Sequence, residues 1–110
     1  MKLYTTKEQT AHLIELGFPK PNSMSGYRSY MDVGGEVATE ITYDYSIGEL
    51  IEFLGMHLNG IYPTTVCDLP IKYVVQYKRD IKSIGYVEIR GELIDKLYDA
   101  CVTLKNEGVI

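Results

Sequence analysis

A chain of 110 residues with 45% hydrophobic content is long enough to bury one core and too short for two ordinary domains. No run approaches the ~20 apolar residues of a membrane span, so the sequence predicts no membrane partner. The net charge of −4 favours solubility and argues against nucleic acid covering the whole surface.

The first helix is predicted to start at Thr5 or Thr6, because Thr5-x-x-Glu8 and Thr6-x-x-Gln9 both fit a capping box. Ala11, Leu13, Ile14 and Leu16 supply its apolar positions. Gly17 reads as a left-handed C-cap, Phe18 folds back toward Leu13, and Pro19 blocks continuation. Residues Pro19 to Gly26 read as a loop. Tyr27–Val33 and Glu36–Tyr43 then form a hairpin about a two-residue Gly34-Gly35 turn. The second arm alternates, with Val37, Ile41 and Tyr43 on one face and Glu36, Glu40 and Asp44 on the other. That pattern predicts a sheet with one wet face.

The second helix is the best punctuated. Ser46 caps it, Glu49 reaches back to the Ser46 amide, and Tyr45 with Leu50 makes a hydrophobic staple. Ile47, Leu50, Ile51, Leu54 and Leu58 share a face, and either Gly55 or Gly60 ends the helix. Between Ile61 and Pro70, the two prolines limit any strand to an edge or a short piece. Ile71–Lys78 is the clearest strand, with Ile71, Tyr73, Val75 and Tyr77 facing one way and Lys72, Val74, Gln76 and Lys78 the other. After a polar turn at Arg79–Ser83, Ile84–Ile89 returns. A last helix over about Glu92–Glu107 buries Leu93, Ile94, Leu97, Tyr98, Cys101 and Leu104, and Gly108 caps it.

The expected architecture is a single small α+β domain over residues 1–110, in the order α-β-β-α-β-β-α. An antiparallel sheet of about four strands would carry helices on one face.

Composition points to a binding surface more than to chemistry. There are ten Tyr, against two Phe and no Trp, and a small domain does not easily bury ten phenols. The candidate protein-binding face includes Tyr27, Tyr30, Tyr73, Tyr77 and Tyr86. The plainer explanation is Tyr as a strand former on a half-wet sheet. A second candidate is the hairpin over residues 71–90. There Lys72, Lys78, Arg79, Lys82 and Arg90 outnumber Asp80 and Glu88, a net +3 against −7 for the rest of the chain. Cations with interleaved Tyr73, Tyr77 and Tyr86 suit phosphates and bases, which makes nucleic-acid or nucleotide binding the alternative. If the Tyr side packs on helices, the Lys side is a solvated face.

No catalytic motif is visible. Cys67, Cys101, His12 and His57 are isolated, whereas metal ligands usually come in closely spaced pairs, and no cofactor or metal is expected. Glu49 with Glu52, and Asp95 with Asp99, are explained by capping and by the polar face of a helix. Gly34-Gly35 lacks the Lys-Ser/Thr of a phosphate loop. Two distant cysteines and no apolar leader fit a cytoplasmic protein with free thiols, and a homodimer is compatible with either binding reading.

Three stretches carry a resemblance: Tyr4-Thr5-Thr6-Lys7-Glu8-Gln9-Thr10, Tyr45-Ser46-Ile47-Gly48-Glu49-Leu50-Ile51 and Gly91-Glu92-Leu93-Ile94-Asp95-Lys96-Leu97-Tyr98. Together they resemble small uncharacterised proteins of Bacteroidetes gut bacteria and their phages or other mobile elements. The shared stretches are helix starts and core stripes, so the resemblance implies a cytoplasmic accessory role in phage or host and brings no catalytic residue. The segments 21–44 and 59–80 lie outside it.

Overall fold

A computed structural model describes residues 2–64 and 71–110. Among these residues the order is α1 (Lys7–Glu15), β1 (Ser23–Met31), β2 (Val37–Asp44), α2 (Ile47–Leu54), β3 (Leu58–Pro63), β4 (Tyr73–Tyr77), β5 (Val87–Gly91) and α3 (Leu93–Asn106). The class is α+β.

The helix ends follow their residues closely. Thr6 caps α1 in a full capping box with Gln9, so Thr6 and not Thr5 starts it. Ser46 and Glu49 do the same for α2, which ends at Gly55 with φ 53° and not at Gly60. Tyr45 and Leu50, the two arms of the staple, are both fully buried. α1 and α3 end alike. Gly17 and Gly108 take positive φ, while Phe18 N donates to Leu13 O at 3.1 Å and Val109 N to Leu104 O at 2.9 Å.

The strands depart from expectation in three ways. The four-stranded sheet is instead two separate antiparallel sheets, β1–β2 and β3–β4–β5. The extra strand is β3. It runs antiparallel to β4, pairing Ile61 with Val75, and occupies the β4 edge that the first hairpin would have needed. Pro63 closes β3 on the open edge of its sheet, where a missing N–H costs nothing. Second, β1 begins at Ser23, inside the expected loop, and absorbs an irregularity between Met24 and Gly26. Third, the turn is longer than Gly34-Gly35. Asp32 N donates to Glu36 O at 2.9 Å and Gly35 N to Asp32 O at 3.1 Å, leaving Val33, Gly34 and Gly35 as the loop. Only Gly35 needs the left-handed region, at φ 82°, as in a type I turn closed by a bulge.

The core lies between the helices and the three-stranded sheet. α3 lies across β4 and β5, and α2 packs against α3. Leu13, Leu50, Leu54, Val75, Ile94, Leu97 and Leu104 are fully buried there. Val75 aligns with Ile61 and Ile89, and Tyr77 with Leu58 and Val87, so this face of the sheet is apolar from edge to edge. The other face carries a polar ladder, with Asn59 Nδ2 donating to Gln76 Oε1 at 3.0 Å and Gln76 Nε2 to Glu88 Oε1 at 2.7 Å.

The first hairpin has no place in this sandwich and projects from it. The molecule measures 62 × 37 × 17 Å, with a radius of gyration of 16.9 Å. A compact chain of this length would have about 13 Å. A nine-residue strand spans roughly 30 Å, so the arm makes up about half the long dimension.

Candidate functional site

Strand register sorts the arm's side chains onto two faces. From base to tip, one face carries the cross-strand pairs Met24–Tyr43, Tyr27–Ile41, Ser29–Thr39 and Met31–Val37. No charged residue is among them. The six large members are between 45% and 70% exposed, and Val33 at the tip is fully exposed. The opposite face carries Arg28, Glu40, Tyr30 and Ala38. Arg28 Nη2 pairs with Glu40 Oε2 at 2.8 Å, and its guanidinium lies 5.6 Å from the Tyr30 ring centroid. The expected sheet with one wet face is therefore corrected. Val37, Ile41 and Tyr43 do share a face, but nothing among the described residues covers it, because the helical stripes converge on β4 and β5.

The base of the arm is held by polar groups. Asp44 is buried; it accepts from the Thr10 hydroxyl on α1 and from Ser25 Oγ at 2.6 Å. Thr5 Oγ1 lies 2.7 Å from Thr10 Oγ1 and accepts from Tyr45 N at 3.0 Å. The proton order follows. Thr5 donates to Thr10, and Thr10 donates to Asp44, so each buried hydroxyl is satisfied. On the other side Glu49 accepts from the Ser23 hydroxyl, from Asn22 N at 3.1 Å, and from Ser46 N at 3.2 Å. Burial alone would raise the Glu49 pKa. The bonds from Ser23, Asn22 and Ser46 outweigh that and hold it below the usual carboxylate range. Between α1 and the charged face of the arm lies an open cleft lined by Lys7, Gly26, Arg28, Glu40 and Thr42.

The five candidate tyrosines do not form one surface. Tyr77 is buried and Tyr73 is half-buried against the same core, because α3 covers their side of β4. Tyr27 and Tyr30 are exposed on opposite faces of the arm, and Tyr86 is exposed on the β4–β5 loop. The basic residues divide as well. Lys72 and Arg90 lie toward one end of β4, and Lys78, Arg79 and Lys82 toward the other, about 17 Å away along a five-residue strand. Arg79 Nε is already held by Glu107, at 2.9 and 2.8 Å from its two oxygens. The plainer explanation of the Lys side of β4, a solvated sheet face, is the one the register gives.

The isolated chemical residues have structural partners. His12 Nδ1 lies 2.5 Å from the Tyr98 hydroxyl, whose pKa is raised by burial and then by Asp99. His57 Nδ1 lies 2.8 Å from Lys78 O. Cys101 is buried against Leu50 O, and burial pushes its thiol up to about 12, far from a neutral-pH thiolate. Cys67 lies outside the described residues. Asp95 is desolvated, which would raise its pKa, but bonds from Gln9 and Lys2 and the charges of Lys2 and Lys96 lower it overall. Asp99 accepts from Lys96 Nζ at 3.0 Å. Among the described residues no group of three or more His, Cys, Asp or Glu is placed to hold a metal ion.

Sequence reasoning missed Met24 and Met31 as surface residues, and took Val37, Ile41 and Tyr43 for a covered face. The available signal was arithmetic. Three helical stripes are enough to cover one small sheet, and the chain encodes two hairpins.

Compared with known proteins, the chain matches no family model, no curated protein and no solved structure.

Proposed function

We propose that this chain is a small non-enzymatic accessory protein that acts by binding another protein through the uncharged face of its arm. One observation carries the reading. Six large side chains, each 45–70% exposed, adjoin one another along that face with no charge among them, a continuous apolar stretch of the kind a free monomer seldom shows. Two Tyr and two Met on a paired ladder give contact area, the Tyr at low side-chain ordering cost and the Met with adaptability. The motif resemblance supports a cytoplasmic accessory role, in a bacterium or its mobile elements.

Less supports the alternative, nucleic-acid binding by Lys78, Arg79 and Lys82 beside Tyr86. These share one loop, but Glu107 neutralises Arg79, and Lys72 and Arg90 stand at the far end of the strand.

The test is capture by the tagged chain from lysate containing untagged chain, with and without nuclease, beside a Tyr27→Ser/Ile41→Thr variant. The expected result is a specific protein, host protein or untagged chain, that survives nuclease and is lost by the variant. Retention by the variant would remove the arm from the function. Recovery that collapses with nuclease would favour the basic loop, with affinity falling steeply as salt rises.

A further inference from the structure

We propose that the partner of the arm's uncharged face is a second copy of this chain, packed arm on arm about a two-fold axis through the Ser29–Thr39 pair. This rests on the protein-binding reading above and names its partner.

The order of residues along the face is the first argument. Ser29 and Thr39 are the smallest pair and lie between two large ones, with Ser29 Oγ and Thr39 Oγ1 3.4 Å apart. A two-fold axis at that pair sets Tyr27 and Ile41 of each copy against Met31 and Val37 of the other. The contact occurs twice, as an isologous interface requires. The same rotation brings Val33 at each tip over the Met24–Tyr43 pair at the other base. The large side chains can interdigitate on either side of the axis, and the short hydroxyl pair lies at the crossing point of two stacked sheets about 10 Å apart and crossing near 30°.

Charge is the second argument. A residue beside a two-fold axis meets its own copy, so any charge there would repel itself. This face has none, although the chain as a whole is acidic. Of the charges on the arm, Arg28 and Glu40 pair with each other on the opposite face, Asp32 and Glu36 flank the turn at the tip, and Asp44 is buried at the base, so none lies at the Ser29–Thr39 pair. Ser29 and Thr39 both donate and accept, so each can reach its own copy through a bridging water.

Area and shape agree. The six large residues of the face and Val33, each at least 45% exposed, offer an area on the order of the ~800 Å² per partner of a standard interface. Because the arm stands clear of the core, antiparallel arms leave the two bodies at opposite ends of the contact.

The experiment is sedimentation equilibrium of the full chain and of two charge variants at the axis, Thr39→Lys and Thr39→Glu, singly and mixed. Thr39 is exposed and outside the core, so both variants should keep the wild-type circular dichroism spectrum. The wild type is expected to dimerise at micromolar concentration. Each variant alone is expected to dissociate about a hundredfold more readily, and the equimolar mixture to recover the dimer, because opposite charges then meet at the axis. A wild type that stays monomeric to millimolar concentration overturns the proposal. So does a Thr39→Lys chain that dimerises as well as wild type, since the contact is then elsewhere. A monomeric wild type whose host partner is still lost by Tyr27→Ser/Ile41→Thr would sink self-association alone and leave the protein-binding reading standing.

Discussion

Strands β4 and β2 have the same grammar and opposite fates. Tyr73, Val75 and Tyr77 share one face at every second position, as Val37, Ile41 and Tyr43 do with Thr39 between them. The first set lies under α3 and forms the core; the second stands in solvent. Alternation tells which side chains share a face. What covers that face depends on how many helical stripes exist and which sheet they reach first. The body and the arm thus divide the work, one holding the fold and the other offering surface.

That division can be broken or sharpened by substitution. The largest effect belongs in the body: Leu97→Ala, at a fully buried position, should cost about 3 kcal/mol and lower the melting temperature by roughly 10–20 °C. The next belongs to the joint. Glu49→Ala removes one half of a capping box and the acceptor for Ser23 and Asn22, and chemical denaturation should register a loss of about 1–2 kcal/mol. Gly35→Ala at the hairpin turn should cost about 1 kcal/mol. Its Cβ would meet no neighbour, so the loss comes from φ 82° alone. Amide exchange should show that loss in β1 and β2 and not in α3. The smallest is Ile41→Thr, within about 0.5 kcal/mol when measured in dilute solution. An Ile41→Thr loss as large as that of Leu97→Ala would mean the arm face is covered within the monomer, and the contrast would fail.

Acid should weaken two carboxylate anchors, Glu49 at the joint and Asp95 on α3. Glu49 and Asp95 both have folded pKa values below their ordinary ones. Their stabilisation is therefore complete above the ordinary carboxylate pKa and is lost as pH falls through the lower folded values. Thermal melts of wild type and Glu49→Gln should differ at neutral pH and converge only as pH falls below the lowered folded pKa of Glu49, where the wild-type carboxylate is protonated too.

Local punctuation was the most legible part of the fold. Ser46 with Glu49, Gly17 with Phe18, and Gly108 with Val109 act within one turn of chain, so their partners are in view in the sequence. Sheet membership was not legible, because β3 joins β4 across residues 64–72, and Gly60 and Pro63 hide its strand character. The candidate site was half legible. Tyr27 and Tyr30 are exposed as expected, while Tyr73 and Tyr77 were lost to the core once α3 took their side of the sheet.

The Glu49 carboxylate gives this chain a built-in epistasis. It serves the first turn of α2 through Ser46 and the root of the arm through Ser23. Removing either serine leaves the other bonded to a less constrained acceptor, so the double replacement should depart from the sum of the single ones. Drift at the arm's root is thereby tied to drift at a helix start in the body, and a change that re-aims the arm at Ser23 is felt at Ser46 as well.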